Sequence, residues 1–84
     1  MTVDPRRIVV GDKIQAPIPG NPRSEEQPIG IVTEISGEQV TYLATGEYDM
    51  YYGPGDDDFY RDYADPAECV VPLSTVAYHW PKDD

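Results

Sequence analysis

The sequence predicts a mainly β protein folded as a single small domain, and three observations support this prediction. Seven glycines and nine prolines interrupt short runs rich in β-branched and aromatic residues. No segment repeats apolar residues at helical spacing over three turns. A chain of 84 residues is too short for a second hydrophobic core. We therefore expect residues 1–84 to form one domain, with a core drawn from four apolar clusters: Ile8 to Val10, Ile29 to Ile35, Val40 to Ala44 and Val70 to Val76.

The first third of the chain is predicted to contain a turn, a short strand and a long loop. Val10-Gly11-Asp12 is typical of a turn. Lys13 to Ile18 favours a strand, which Pro17 and Pro19 interrupt. Gly20 to Gln27 is polar and contains an Asn-Pro pair, as loops do.

A tight hairpin is predicted in the middle of the chain. Pro28 to Ser36 and Gln39 to Thr45 are two β-prone runs joined by the turn Ser36-Gly37-Glu38. In the first run, strict alternation places Ile29, Ile31, Thr33 and Ile35 on one face and Val32 on the other. In the second run, Val40, Tyr42 and Ala44 alternate with Thr41, Leu43 and Thr45.

The last part of the chain has a weaker pattern. Residues 47–52 can extend the sheet until Gly53-Pro54-Gly55 breaks the strand. Asp56 to Ala64 is compatible with a short helix capped by an aspartate and equally with a loop. Asp65 to Glu68 is predicted to be a turn, Cys69 to Leu73 a strand and Ser74 to Trp80 a last turn and strand, and residues 81–84 are expected to fray.

About five short strands with a long loop after the first and a tight central hairpin resemble a small SH3-like barrel of the KOW and Tudor type. The resemblance is carried by the motifs Val10-Gly11-Asp12-Lys13-Ile14, Gly30 to Ile35 and Val71-Pro72-Leu73-Ser74. It implies a barrel of about five strands into which an acidic, Tyr-rich segment is inserted. An OB-like barrel and an open α+β sheet are the alternatives.

Gly46 to Glu68, called the acidic segment below, is the most unusual part of the sequence. It contains eight acidic residues and one basic residue, so it carries a net charge of −7 out of the whole-chain −10. It also holds six of the nine aromatic residues. Tyrosine combines rigid contact area with a polar tip and is enriched where proteins dock. The segment is therefore predicted to be a binding face for a cationic partner.

The residues predicted to form this face are carboxylates that bind Arg and Lys, and aromatic anchors. Opposite charge speeds association, while aromatic rings supply the contacts that hold a complex together. The carboxylates are Glu47, Asp49, Asp56, Asp57, Asp58 and Asp62, and the anchors are Tyr51, Tyr52, Tyr60 and Tyr63.

The sequence argues against an enzyme and against direct binding of nucleic acid. Nucleophilic catalysis needs a nucleophile beside an oriented histidine, whereas the only histidine, His79, lies near the C-terminal end. Cys69 adjoins Val70 and Val71 and is interpreted as a small core residue. A net charge of −10 repels phosphate backbones. We expect no catalysis, no cofactor and no nucleic-acid ligand.

The aspartates of the acidic segment match only part of the sequence pattern of a calcium-binding loop. Asp56 and Asp58 have the alternate spacing of a chelating loop. Tyr60 and Arg61 stand where the loop needs another oxygen ligand and a glycine. We therefore expect a solvated charge run or a weak ion site, and no specific metal.

The resemblance to Tudor domains implies another possible ligand. Tudor-like barrels cage methylated lysine or arginine between aromatic rings, by cation–π attraction. Here the rings lie in one continuous segment instead of separate loops; they are Tyr48, Tyr51, Tyr52, Phe59, Tyr60 and Tyr63.

A cytoplasmic location is expected from the cysteine content and from the first residues. One cysteine cannot form an internal disulfide, and the start Met-Thr-Val-Asp-Pro-Arg-Arg lacks the apolar run of a secretory signal. No apolar run approaches the roughly 20 residues that span a bilayer. We expect no membrane insertion, and either a monomer or a homodimer.

Taken together, these features predict an acidic protein-binding module that occupies a basic, nucleic-acid-binding surface of a partner protein and inhibits it. In size and charge the chain resembles phage-encoded inhibitors of host defence, including DNA mimics and anti-CRISPR proteins, and toxin-neutralising immunity proteins. The first alternative is a structural or adaptor subunit of a larger assembly, such as a virion. The second alternative is a Tudor-like reader of methylated lysine or arginine.

Overall fold

The computed structural model describes residues 7–21, 23–49 and 60–82, and apart from short 3₁₀ turns the regular structure of these residues is β. The strands are β1 (Lys13–Gln15), β2 (Glu26–Ser36), β3 (Gln39–Asp49), β4 (Tyr60–Pro72) and β5 (Tyr78–Trp80), and a 3₁₀ helix (Leu73–Thr75) precedes β5. All neighbouring strands are antiparallel, in the order β4-β3-β2-β1-β5. The predicted mainly β class is confirmed.

The strand order agrees with the small SH3-like barrel that the sequence predicts. β1 lies between β2 and β5, so the first and last of the described strands are neighbours in the sheet. A long loop separates β1 from β2, a tight hairpin joins β2 to β3, and the 3₁₀ turn leads into β5. No helix of the described residues is long and apolar enough to cross a membrane.

The inner face of the sheet carries the hydrophobic core. Ile14 of β1, Val32 of β2, Tyr42 of β3 and Val71 of β4 are each at most 2% exposed and belong to one cluster. Neighbouring strands lie about 4.8 Å apart, so side chains on β1 and β4 of a flat sheet would stay well separated. Within the described residues no second layer covers this face. The sheet must therefore curl around its own core, as in a barrel.

The predicted β2–β3 hairpin is confirmed, and its turn contains Gly37 at a φ of +61°. Its second strand alternates as expected, since Val40, Tyr42 and Ala44 are buried and their neighbours Thr41, Leu43 and Thr45 are not. This regular alternation fixes which side of β3 faces the core.

The predicted alternation along β2 is wrong at Ile35, because a bulge after Val32 moves this residue to the inner face. Val32 pairs with Tyr42 and Glu34 pairs with Thr41, which leaves Thr33 as an extra residue. Val32 and Ile35 therefore point inward, whereas Ile31 is 45% exposed. Members of the predicted core clusters that are exposed are Val9, Val10, Ile31, Leu43 and Val70.

Neither the helix nor the loop proposed for Asp56 to Ala64 describes residues 60–64, which begin β4. Tyr60, Arg61 and Asp62 pair with Tyr48, Glu47 and Gly46 of β3. These cross-strand contacts override the helix-start signal of the preceding aspartates, which lie outside the described residues.

The turn predicted at Asp65 to Glu68 is also wrong, since the chain does not reverse there. The pairing instead jumps from Gly46 opposite Asp62 to Ala44 opposite Ala67, and residues 63–66 have no partner on β3. Pro66 lacks a backbone N–H and is tolerated at such an interruption. The local break in pairing is real, but it is a bulge within a continuing strand.

A buried carboxylate connects the two ends of the described chain. Asp12 is 1% exposed and accepts hydrogen bonds from the backbone N–H groups of Val9 (3.0 Å) and Lys82 (3.0 Å). Its Oδ2 also lies 2.7 Å from Nε2 of His79 on β5. Within residues 81–84, expected to fray, Lys82 is thus held at its backbone, and its ammonium group donates to the carbonyl of Val10.

Candidate protein-binding face

The described residues of the acidic segment, 46–49 and 60–68, lie at the end of β3 and in the edge strand β4. Asp49 is the last residue of β3. The other predicted contacts Tyr51, Tyr52, Asp56, Asp57 and Asp58 lie outside the described residues. Glu47, Tyr60, Asp62 and Tyr63 are described, and the structure divides them between an internal cluster and an exposed face.

Glu47 and Tyr63 form the internal cluster, and the exposed Arg61 side chain pairs with it from the surface. Glu47 is 5% exposed and accepts hydrogen bonds from the Arg61 guanidinium and from the Tyr63 hydroxyl, the latter at 3.3 Å. The Tyr63 ring packs against the core, and burial raises the pKa of its hydroxyl. The one basic residue of the acidic segment therefore pairs with an acid of the same segment, while its own side chain stays 70% exposed.

Tyr60 and Asp62 lie together on the outer face of the sheet. The Tyr60 ring packs on Tyr48, with ring centroids 4.8 Å apart. It also covers Gly46, where a Cβ atom would collide with the ring, so glycine makes room for it. Burial and a hydrogen bond with Asp62 raise the pKa of Tyr60.

The described aromatic residues of the segment do not form a cage. Tyr48 and Tyr60 are tilted by 46° and pack on each other, which leaves no gap between the rings for an ammonium group. Tyr63 points toward the core. Tyr51, Tyr52 and Phe59 lie outside the described residues.

The other described acids of the segment are exposed on β4. They are Asp62, Asp65 and Glu68, and no basic side chain of the described residues pairs with them. Charges and proline on an edge strand also discourage edge-to-edge aggregation, so part of this pattern protects the sheet. The result in either case is uncompensated negative charge along β4.

An exposed apolar surface lies beside these acids. Ile31, Leu43 and Val70 are 45%, 40% and 44% exposed and stand on the three adjacent strands β2, β3 and β4. We call these three residues the outer patch. Sequence reasoning placed them in the core, although the alternation around Leu43, between buried Tyr42 and Ala44, was a signal that Leu43 faces outward.

Beyond the outer patch, β1 and β5 carry a second aromatic pair. Tyr78 and Trp80 stack with centroids 6.0 Å apart, and the Lys13 ammonium lies 5.6 Å from the Trp80 ring centre. Lys13 pairs with Ile31 across the sheet, so it is the base nearest the outer patch. Its charge is directed at Trp80, away from the acids of β4.

The described residues contain a small apolar cleft and a buried thiol, and no metal-ligating cluster. A small apolar cleft lies between the β1–β2 loop and the 3₁₀ turn, lined by Pro17, Ile18, Pro72 and Thr75 among others, and its described lining contains no ionisable side chain. Cys69 is buried, and burial raises the pKa of its thiol. No group of three or more His, Cys, Asp or Glu side chains in the described parts is arranged to hold a metal ion.

Comparisons of the chain with protein-family models, with curated proteins and with solved structures found no match.

Proposed function

We propose that this protein is a non-enzymatic, acidic binding module whose acidic segment occupies a basic, nucleic-acid-binding surface of a partner protein and inhibits that partner. In this role it would act as phage anti-defence proteins and DNA mimics do.

The observation that supports this proposal most strongly is the ion pair between Arg61 and Glu47. It is the only base among the eight acids of the segment, and its guanidinium is paired with the buried carboxylate of Glu47. Because the Arg61 guanidinium is engaged by Glu47, no basic side chain of the described residues pairs with the exposed carboxylates of Asp62, Asp65 and Glu68. Such charge attracts Lys and Arg at long range and raises association rates.

The scaffold also suits this role. Asp62 and Glu68 stand on β4 at positions paired with β3, which holds the backbone there in place, so less conformational entropy is lost on binding than for a disordered acidic tail. Tyr60 is fixed against Tyr48 beside Asp62, which presents an aromatic surface next to a carboxylate. Aromatic rings at such positions supply much of the binding energy of protein interfaces.

The proposal is tested by capture followed by a functional assay. The immobilised protein is exposed to a lysate of the source organism or its host, and bound proteins are eluted with duplex DNA and, separately, with salt. A captured protein supports the proposal only if this protein then inhibits its binding to labelled DNA in a gel-shift assay.

Variants identify the face. Asp56→Asn, Asp57→Asn and Asp58→Asn are combined in one protein, and Asp62→Asn and Glu68→Gln in another. Both should weaken capture and reduce its salt dependence. Glu25→Gln removes an exposed charge from the β1–β2 loop and serves as the matched control. If capture and inhibition are unchanged in both combined variants, the assignment of the face is wrong.

A structural or adaptor role is the second candidate, and the outer patch favours it. Three exposed aliphatic side chains on adjacent strands are typical of a surface that another protein covers. Self-association on sizing, insensitive to salt and to the charge variants, would support the adaptor role over the inhibitor.

A further inference from the structure

We propose that a cationic, amphipathic segment of the partner docks on the outer patch. Apolar side chains of that segment cover Ile31, Leu43 and Val70, and its Lys or Arg side chains pair with the neighbouring acids. This inference rests on the proposed function and specifies the contact surface and the chemistry of the bound segment.

The register of the sheet places the three residues on one face. Ile31 pairs with Leu43, and Leu43 pairs with Glu68 of β4. Two residues farther along β4 from Glu68, Val70 pairs with Thr41, which is two residues from Leu43 on β3. Directly paired residues of antiparallel strands project to the same side, so the outer patch is continuous across β2, β3 and β4. Strand spacing gives it a width of about 10 Å, which two or three side chains of a bound segment would cover.

Acidic residues of β2 and β4 flank the outer patch on the same face, while Lys13 of β1 is paired with Ile31 on the other side. Glu68 lies next to Leu43, and Glu34 is paired with Thr41, which in turn is paired with Val70. Asp62 stands farther along β4, opposite Gly46. All three acids are exposed, and the nearest base, Lys13, lies over Trp80. An apolar centre with an acidic rim is complementary to an apolar segment flanked by positive charge.

The same charges select against other occupants. A second copy of the chain on this surface would bring like-charged rims together and add two net charges of −10. A nucleic acid would meet the same repulsion from its phosphates. An uncharged apolar segment would leave the rim acids without partners, so a cationic amphipathic segment is the occupant that uses both features.

The test uses three synthetic twelve-residue peptides of defined composition. One alternates Leu and Arg, a second alternates Ser and Arg with the same charge, and a third alternates Leu and Gln without charge. Each is titrated into the isotope-labelled protein, and backbone amide shifts are followed by NMR at low salt. The protein variants are Leu43→Ser and Glu68→Gln, with Val10→Ser and Glu25→Gln as controls for an exposed apolar residue and an exposed acid elsewhere.

The Leu/Arg peptide is expected to shift the amide signals of Ile31, Leu43 and Val70 and to bind at least about tenfold more tightly than either other peptide, a factor that corresponds to about 1.4 kcal/mol. Leu43→Ser should lower this affinity by about five- to tenfold, in the range of an interface residue that contributes to binding. Glu68→Gln should lower it and flatten its salt dependence. The two control variants should bind as the wild type does.

Other results overturn the inference in distinguishable ways. If the Ser/Arg peptide binds as tightly as the Leu/Arg peptide, or if the shifts map elsewhere, charge alone drives binding; the outer patch is then not the docking surface, while the proposed function stands. If neither cationic peptide binds, both proposals fail. Unchanged affinity in Leu43→Ser, with the variant shown to be folded by circular dichroism, also rejects the outer patch.

Discussion

Replacing Asp12 by Asn should destabilise the protein more than any exposed charge substitution, because this carboxylate is fully buried and accepts from three groups. Asparagine has nearly the same shape but presents an NH₂ group in place of one oxygen. In the wild type the Lys82 N–H donates to Oδ1 of Asp12, while the Val9 N–H and Nε2 of His79 both approach Oδ2. If the Asn side-chain oxygen takes the place of Oδ1, the Asn NH₂ group takes the place of Oδ2 and faces the Val9 N–H and His79. A change of tautomer lets His79 accept from the amide, but the Val9 N–H is still left without an acceptor.

The expected cost follows from these contacts. A hydrogen bond to a charged group contributes about 1.5–3 kcal/mol, and a buried unsatisfied donor costs about 1–3 kcal/mol. Part of this is returned because the variant no longer buries a charge. We expect a loss of about 3 kcal/mol, or a fall in Tm of roughly 12–24 °C for a domain of this size.

The measurement is urea unfolding followed by circular dichroism, with Asp65→Asn as the exposed control, which should change stability by less than about 0.5 kcal/mol. A loss below about 1 kcal/mol for Asp12→Asn would refute the assigned role of the buried carboxylate. A double-mutant cycle with His79→Gln measures the coupling between the two side chains.

The pH dependence provides an independent check. Burial acts to raise the pKa of Asp12, but the hydrogen bonds from His79, Lys82 and Val9 outweigh it and hold the pKa below 3.8. A carboxyl group with a lowered folded pKa adds stability above its unfolded pKa, and this stability is lost as the pH falls through the folded value. The advantage of the wild type over Asp12→Asn should be full above about pH 5 and shrink below pH 3.8. A difference that does not change on acidification would contradict this assignment.

Three further predictions concern other parts of the fold. Gly30→Ala should lower stability in urea by about 3 kcal/mol or more, because a Cβ atom would collide with the backbone of Leu43; an unchanged urea midpoint would count against this close approach. Arg61→Gln should cost about 1 kcal/mol by the same assay, since it removes the charged partner of buried Glu47, and a variant as stable as the wild type would show that the pair is not formed. The Cys69 thiol should react much more slowly with an aromatic disulfide reagent at about pH 8 in the native protein than in urea, because burial raises its pKa and limits access; equal rates would contradict the buried position.

The fold was predictable from the sequence where the strands are regular. The alternation of Val40, Tyr42 and Ala44, followed back through the Gly37 turn, predicts the hairpin and the inward face of β3. The bulge at Thr33 carries no compositional signal, and one extra residue is enough to move Ile35 to the inner face with Val32, whereas Ile31 stays on the opposite face. The local sequence pattern shows that side chains alternate along a strand, whereas pairing with the partner strand decides which of them face the core.

The site was predictable in composition but less so in geometry. The excess of acids over bases in the acidic segment is visible in the sequence. That Glu47 is buried against Arg61 and Tyr63, 14 and 16 residues away, depends on how β3 and β4 pair. The outer patch could not be predicted from hydrophobicity alone, because Ile31, Leu43 and Val70 have the composition of core residues and only the sheet register shows that they face outward.

The position of Asp12 also bears on how the chain folds during synthesis. Its carboxylate is made early, but the side chain of His79 and the amide of Lys82 follow 67 and 70 residues later. Until β5 has left the ribosome, β1 has one of its two neighbouring strands and the carboxylate lacks two of its three partners. Contacts between residues so far apart in sequence slow folding. The nascent protein should therefore expose the edge of β1 until β5 emerges, and the sheet of the described residues should be completed only when that strand arrives.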